Sequence, residues 1–113
     1  ATDAPLDARQ LKRLAARAVF GRARTGASGS HGSGDYVVAF STSNKYYSVA
    51  EIPPIPVFRV REDDLSPLFG AVIEATEEAI YNSLLLATTV EGREGHVVKA
   101  IPVERVKEIQ SKK

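Results

Sequence analysis

The 113-residue sequence predicts an α/β fold in which helices cover a sheet. Three observations carry that prediction. Leu68, Phe69, Val72, Ile73, Thr76, Ala79, Ile80, Ser83, Leu84 and Ala87 form one wide apolar stripe at helical spacing. Tyr36-Val37-Val38-Ala39-Phe40-Ser41-Thr42 is a β-rich run that reads as a buried strand. The elements alternate as helix, strand, long helix, short strand and short helix. The chain opens Ala1-Thr2-Asp3-Ala4-Pro5 and contains no methionine. That opening reads as a downstream piece of a longer protein. The sheet is therefore expected to lack its first strand, and the function to need an upstream piece.

The elements follow in order. Asp7 to Gln10 forms a capping box, with the acid at the N-cap and Gln at the third helical position. Leu11, Leu14, Ala15, Ala18 and Val19 continue at helical spacing. Arg9, Lys12, Arg13, Arg17, Arg22 and Arg24 make a mostly solvated basic face. Gly21 weakens this helix and Gly26 stops it. Residues 26–35 are mostly glycine and serine, with Ala27, Asp35 and one large side chain, His31, and predict a loop. After the strand, residues 44–48 read as a loop. Residues 52–56 are too proline-rich for a central strand, and residues 57–60 suggest a short one. Ser66 before Pro67 predicts an N-cap followed by the first helical residue. The long helix is apolar nearly all round in its C-terminal half, so that half is expected to be deeply buried. Gly92 and Gly95 mark a turn, residues 97–101 a short strand. Pro102 opens a final amphipathic helix through Val103, Val106 and Ile109.

Composition excludes several function classes. A net charge of +1 gives no electrostatic case for a nucleic-acid partner. No apolar run approaches the ~18 residues of a membrane span. The absence of cysteine rules out disulfides, thiolate catalysis and cysteine metal sites in this chain, and is compatible with the cytoplasm. His31 and His96 are the only histidines, and neither has a ligand partner at metal spacing.

The glycine-serine loop holds the candidate chemistry. It has no Lys and leads into a strand, so it is not a phosphate-binding P-loop. Ser33, His31 and Asp35 lie too close along the chain to converge as a triad. Ser33 and Asp35 stand at i and i+2, however, and on an extended chain they point to one side. A hydroxyl and a carboxylate there can hold or relay a proton for a nucleophile arriving from elsewhere. Gly32 and Gly34 leave room for a substrate or another backbone to approach. The same pattern also suits a flexible loop with a polar strand entry, and the spacing alone leaves both open. Glu77 and Glu78 read as solvated helix acids, Asn82 and Ser83 as structural polar groups.

Taken together, the segments resemble the small subunit of the L-aminopeptidase D-Ala-esterase/amidase family, also called the DmpA or β-aminopeptidase family. The similarity lies in residues 1–6 with the helix at 10–15, in Gly32-Ser33-Gly34-Asp35 and in residues 39–42. It continues through residues 74–84, through Ala87-Thr88-Thr89 with Gly92-Arg93, and through Lys99-Ala100-Ile101-Pro102. The resemblance implies a four-layer α/β/β/α sandwich like that of N-terminal nucleophile hydrolases, of which residues 1–113 are the C-terminal part as one partial domain. It implies a precursor that cleaves itself into α and β subunits. The new N-terminal Ser of β would be the nucleophile, about six residues before Ala1, with its own α-amine as base. Ser33 and Asp35 map onto the family's assisting Ser and acidic residue, some members carrying Glu at the second position. Gly32 and Gly34 would lie against substrate. The implied reaction is hydrolysis of an N-terminal amino-acid amide or ester bond through an acyl-enzyme, without metal or organic cofactor. The implied partners are the α subunit, a peptide or amino-acid amide substrate, and further copies in a homo-oligomer. The alternatives are a related self-cleaving acyltransferase of the ornithine acetyltransferase type, with Thr as nucleophile, and a non-catalytic binding domain.

Overall fold

Local sequence chemistry sets the first helix. In the computed structural model, which describes residues 1–43 and 58–112, α1 spans Ala8–Ala15. The Gln10 backbone N–H donates to Asp7 Oδ1 at 2.7 Å, and the Asp7 N–H donates to Gln10 Oε1 at 3.2 Å, completing the expected capping box. Two residues then tighten into an i→i+3 turn, with the Arg17 N–H on the Leu14 carbonyl at 2.9 Å. Helix α2 follows at Ala18–Arg24. Gly26 ends it as expected, at φ 89°, in the left-handed region.

The sequence reading of Gly21 needs correction. A Cβ there would lie 2.4 Å from the Ile73 carbonyl oxygen and 2.8 Å from Thr76 Cβ. Gly21 is therefore the point where α2 and the long helix α3, Ser66–Leu85, meet backbone to backbone. Glu77 belongs to the same crossing, where it pairs with Arg24 at 3.3 Å instead of standing on a free face.

Helix α3 is entered from a 3₁₀ turn, Glu62–Leu65. Ser66 is already helical (φ −59°, ψ −41°), so it is not the predicted cap. Leu65 is fully buried and packs with Leu6 and Leu14, flanked by Ala4, Leu11, Val60, Leu68, Phe69 and Val72. The guanidinium of Arg17 lies 4.3 Å from the centroid of the Phe69 ring that flanks this core.

A polar lock closes the other side. Gln10 is fully buried, and its amide donates to the Val60 carbonyl at 2.8 Å and to Glu62 Oε1 at 2.9 Å. Glu62 also takes Arg9 and Arg13. The hydrogen bonds from Arg9 and then Gln10 hold its carboxyl down to about 2, against an ordinary 4.5. A carboxyl lowered on folding stabilises above its ordinary value and loses that contribution as pH falls through its folded value. The urea midpoint of Glu62→Gln is thus expected to fall below the parent's at pH 6. The gap should narrow below pH 4.5 and close near pH 2. A pH-independent gap would contradict this role.

The described residues divide into two compact units, Ala1–Glu77 and Glu78–Lys113, and α3 runs from one into the other. In the second, β1 (Val90–Glu91) pairs antiparallel with β2 (Val97–Val98), Val90 opposite Val98. The connecting turn uses Glu94 at φ 60° and Gly95 at φ 74°. Helix α4, Val103–Gln110, follows Pro102 as expected, with i,i+3 ion pairs Lys107–Glu104 and Arg105–Glu108 at 2.7 and 2.8 Å.

Two burial expectations fail within the described residues. Residues 36–40 form no ladder, and Val38 is 84% exposed. Tyr81, Leu84, Leu85 and Leu86, expected deep in a core, are all exposed, Leu86 by 78%. A hydrophobic pattern marks a surface for burial without saying what covers it, and nothing among the described residues does. The expectations for residues 44–48 and 52–56, and for position 57, lie outside the described residues. Residues 58–60 are not a strand, although the Val60 N–H donates to the Pro5 carbonyl at 2.9 Å.

Candidate active site

The loop at 26–35 is held by its turns. The Ser33 N–H donates to the Ser30 carbonyl at 3.0 Å, across a turn in which Gly32 has φ 88°. That turn delivers Ser33 and Asp35 to one place. Arg22 Nη2 donates to Ser33 Oγ at 2.9 Å, and Arg22 Nη1 lies 3.0 Å from Asp35 Oδ2. One guanidinium thus contacts both of the side chains that stand at i and i+2. Both Ser33 and Asp35 face outward, the Asp35 side chain 48% exposed and that of Arg22 25%. A half-exposed pair of this kind stabilises a fold by about 0.2–1 kcal/mol. Its consequence is orientation more than stability.

Helical spacing places Arg22 on the mostly solvated basic face, but its side chain is only 25% exposed and is taken up by Ser33 and Asp35. Its partners lie in a loop without periodicity, so no pattern in the sequence links them. Its main-chain carbonyl also accepts from the Thr25 N–H and Oγ1 at 3.1 and 2.8 Å, which fixes the last turn of α2. Gly32 has open space where a side chain would stand, and a Cβ on Gly34 would meet only Tyr36, at 3.7 Å. His31 is exposed in the turn, and the side-chain partner that Ser33 and Asp35 share among the described residues is Arg22 rather than His31. Ser83 Oγ bonds the Ile80 carbonyl of its own helix at 2.8 Å, the structural role expected of it. Among the described residues, no group of three or more His, Asp or Glu is arranged to hold a metal ion, and no helix is long and apolar enough to cross a membrane.

The second feature of the site is the start of the chain. Thr2 bridges Ser41 in parallel. The Thr2 N–H donates to the Phe40 carbonyl at 3.1 Å, and the Thr42 N–H donates to the Thr2 carbonyl at 2.9 Å. Ser41 Oγ fastens the pairing by donating to the Ala4 carbonyl at 2.6 Å. The exposed run at 36–40 therefore leads directly back from this bridge to Asp35 and Ser33.

Comparison with known proteins places the chain among peptidases. The model of peptidase family S58 matches residues 1–98. A beta-peptidyl aminopeptidase, BapA, of Sphingosinicella microcystinivorans is 44% identical over 112 residues, which is 99% of this chain and 28% of that protein. The crystal structure of the PH0078 protein from Pyrococcus horikoshii OT3 superposes with a TM-score of 0.86 at 48% identity, over 97% of this chain and 31% of the other. The L-aminopeptidase D-Ala-esterase/amidase of Ochrobactrum anthropi, described as a prototype for the serine aminopeptidases and a variant of the Ntn hydrolase fold, superposes with a TM-score of 0.84 at 34% identity, again over 97% and 31%. The chain thus spans less than a third of the length of each of these relatives and carries the corresponding part of the Ntn hydrolase fold.

Proposed function

The chain belongs to peptidase family S58, and from that membership we propose that it is the β-subunit portion of a self-processing serine aminopeptidase or amidase. A precursor cleaves itself and exposes a Ser about six residues before Ala1 as the new N-terminus. The α-amine of that residue titrates near ~8, so it can take the hydroxyl proton at neutral pH. The Ser oxygen attacks the carbonyl of an N-terminal aminoacyl amide or ester. The leaving amine or alcohol departs with a proton, and water releases the amino acid from the acyl-enzyme. Ser33 and Asp35 carry and orient the proton during these transfers, while Gly32 and Gly34 let the substrate approach. No cofactor takes part. The α subunit is an obligate partner, αβ units assemble further into homo-oligomers, and the absence of cysteine suits a cytoplasmic setting.

The observation that carries this reading is the parallel bridge between Thr2 and Ser41. Carried backward residue for residue, it brings a position about six residues ahead of Ala1 level with Gly34, between Ser33 and Asp35. The incoming strand would pair with the backbone edge of residues 36–40, which form no ladder among the described residues. The uncovered apolar side chains at the end of α3 are likewise surface for the α subunit to bury.

The test is hydrolysis of aminoacyl p-nitroanilides of L-alanine, D-alanine and β-alanine by the intact protein. Release of p-nitroaniline that requires a free amino group is the expected result. Acyl transfer to an amine acceptor without hydrolysis would point to the acyltransferase chemistry instead, and inertness toward all three would argue against a catalytic role.

A further inference from the structure

We infer that Arg22 is a positioning residue for the reaction, one that sets the direction of the Ser33 hydroxyl and the place of the Asp35 carboxylate together. The inference rests on the function proposed above. Its physical basis is the inventory of donors. A guanidinium only donates, and it does so in a rigid planar fork. Its Nη2 takes one lone pair of Ser33 Oγ at 2.9 Å, so the Ser33 proton cannot be directed at Arg22 and must point to another acceptor. Its Nη1 holds Asp35 Oδ2 at 3.0 Å. One planar group therefore fixes both assisting side chains.

The support beneath Arg22 is rigid while the loop it holds is open. Ala18 and Gly21 form the buried face of α2, and Gly21 meets the α3 backbone without an intervening side chain. Arg22 follows directly and reaches across to the loop. Gly29, at φ 64°, lies beside the guanidinium, and a Cβ there would stand 3.3 Å from Arg22 Nη1. An ammonium on a Lys stem is a point charge and does not reproduce the fork.

The experiment compares variants of the intact enzyme on alanine p-nitroanilides. Arg22→Ala is expected to lower kcat by about ten- to a hundred-fold, the scale of misplaced catalytic groups, with KM within about twofold. Arg22→Lys should recover only part of the loss. Added ethylguanidinium should raise the kcat of Arg22→Ala and leave that of Ser33→Ala unchanged, a response that a merely structural arginine would not give. If Arg22→Ala does not fold or self-process, a folded Arg22→Lys with full kcat overturns the inference. Unchanged kcat in Arg22→Ala, beside a large loss in Ser33→Ala, also overturns it and leaves the proposed function standing. Unchanged kcat in Ser33→Ala removes the site itself, and the inference with it.

Discussion

Ser33→Ala in the intact enzyme is expected to lower kcat by at least about a hundred-fold, the usual scale of a lost proton-transfer group. Its melting temperature should stay within about a degree of the parent's. The separation of the two effects follows from the position of Ser33. It is exposed, and its side chain bonds only Arg22 among the described contacts, so its removal leaves no buried group unpaired. What it removes is a hydroxyl able to accept from Arg22 and donate elsewhere at the same time. Asp35→Asn preserves shape but not charge, and an equal or larger loss is expected there. Both variants should also slow the proposed self-cleavage if its proton moves through the same groups. Steady-state kinetics and thermal unfolding on the same preparations read both quantities. Turnover of either variant within about twofold of the parent would remove these residues from the mechanism.

Gly21→Ala is expected to destabilise the fold by about 1–3 kcal/mol, the cost of overpacking a close contact. In an ordinary exposed helix the same change stabilises by roughly 0.5–1 kcal/mol. The two expectations differ in sign, which makes the variant informative. The added methyl would stand 2.4 Å from the Ile73 carbonyl oxygen and 3.2 Å from the Glu77 nitrogen. Both are backbone atoms of α3 and cannot rotate away, so the two helices must separate. Arg22 is the next residue and moves with α2, so kcat should fall along with stability. A lowered urea midpoint together with reduced turnover is the predicted pair of results. A raised midpoint would mean that the crossing is looser than 2.4 Å implies.

The parts of this molecule that could be read from sequence are those governed by near neighbours. Asp7 and Gln10 cap each other three residues apart, and their side chains meet as the pattern requires. The i,i+2 spacing of Ser33 and Asp35 suggests a shared side, and both are found at one guanidinium, that of Arg22. Gly21 and Arg22 are illegible in sequence for the opposite reason. The contacts that give them meaning come from α3 and from a loop without periodicity, and a single sequence carries no signal for either. Glu62 has no sequence signal of a special role, yet it gathers Arg9, Gln10 and Arg13 because the 3₁₀ turn brings it beside α1. Residues 36–42 and the end of α3 show a third case. Their apolar patterns report that they are built to be covered, and the cover is long-range information. In relatives more than three times as long as the matched segment, there is ample further chain to supply it.

The central claim is that an upstream nucleophile, released by self-cleavage, works beside Ser33 and Asp35. Intact mass and N-terminal sequencing of the purified native protein test it most directly. The account predicts two chains that co-purify, the smaller beginning with Ser about six residues before Ala1. A small chain that begins at Ala1 and has no partner would lack the nucleophile, and that result would contradict the account.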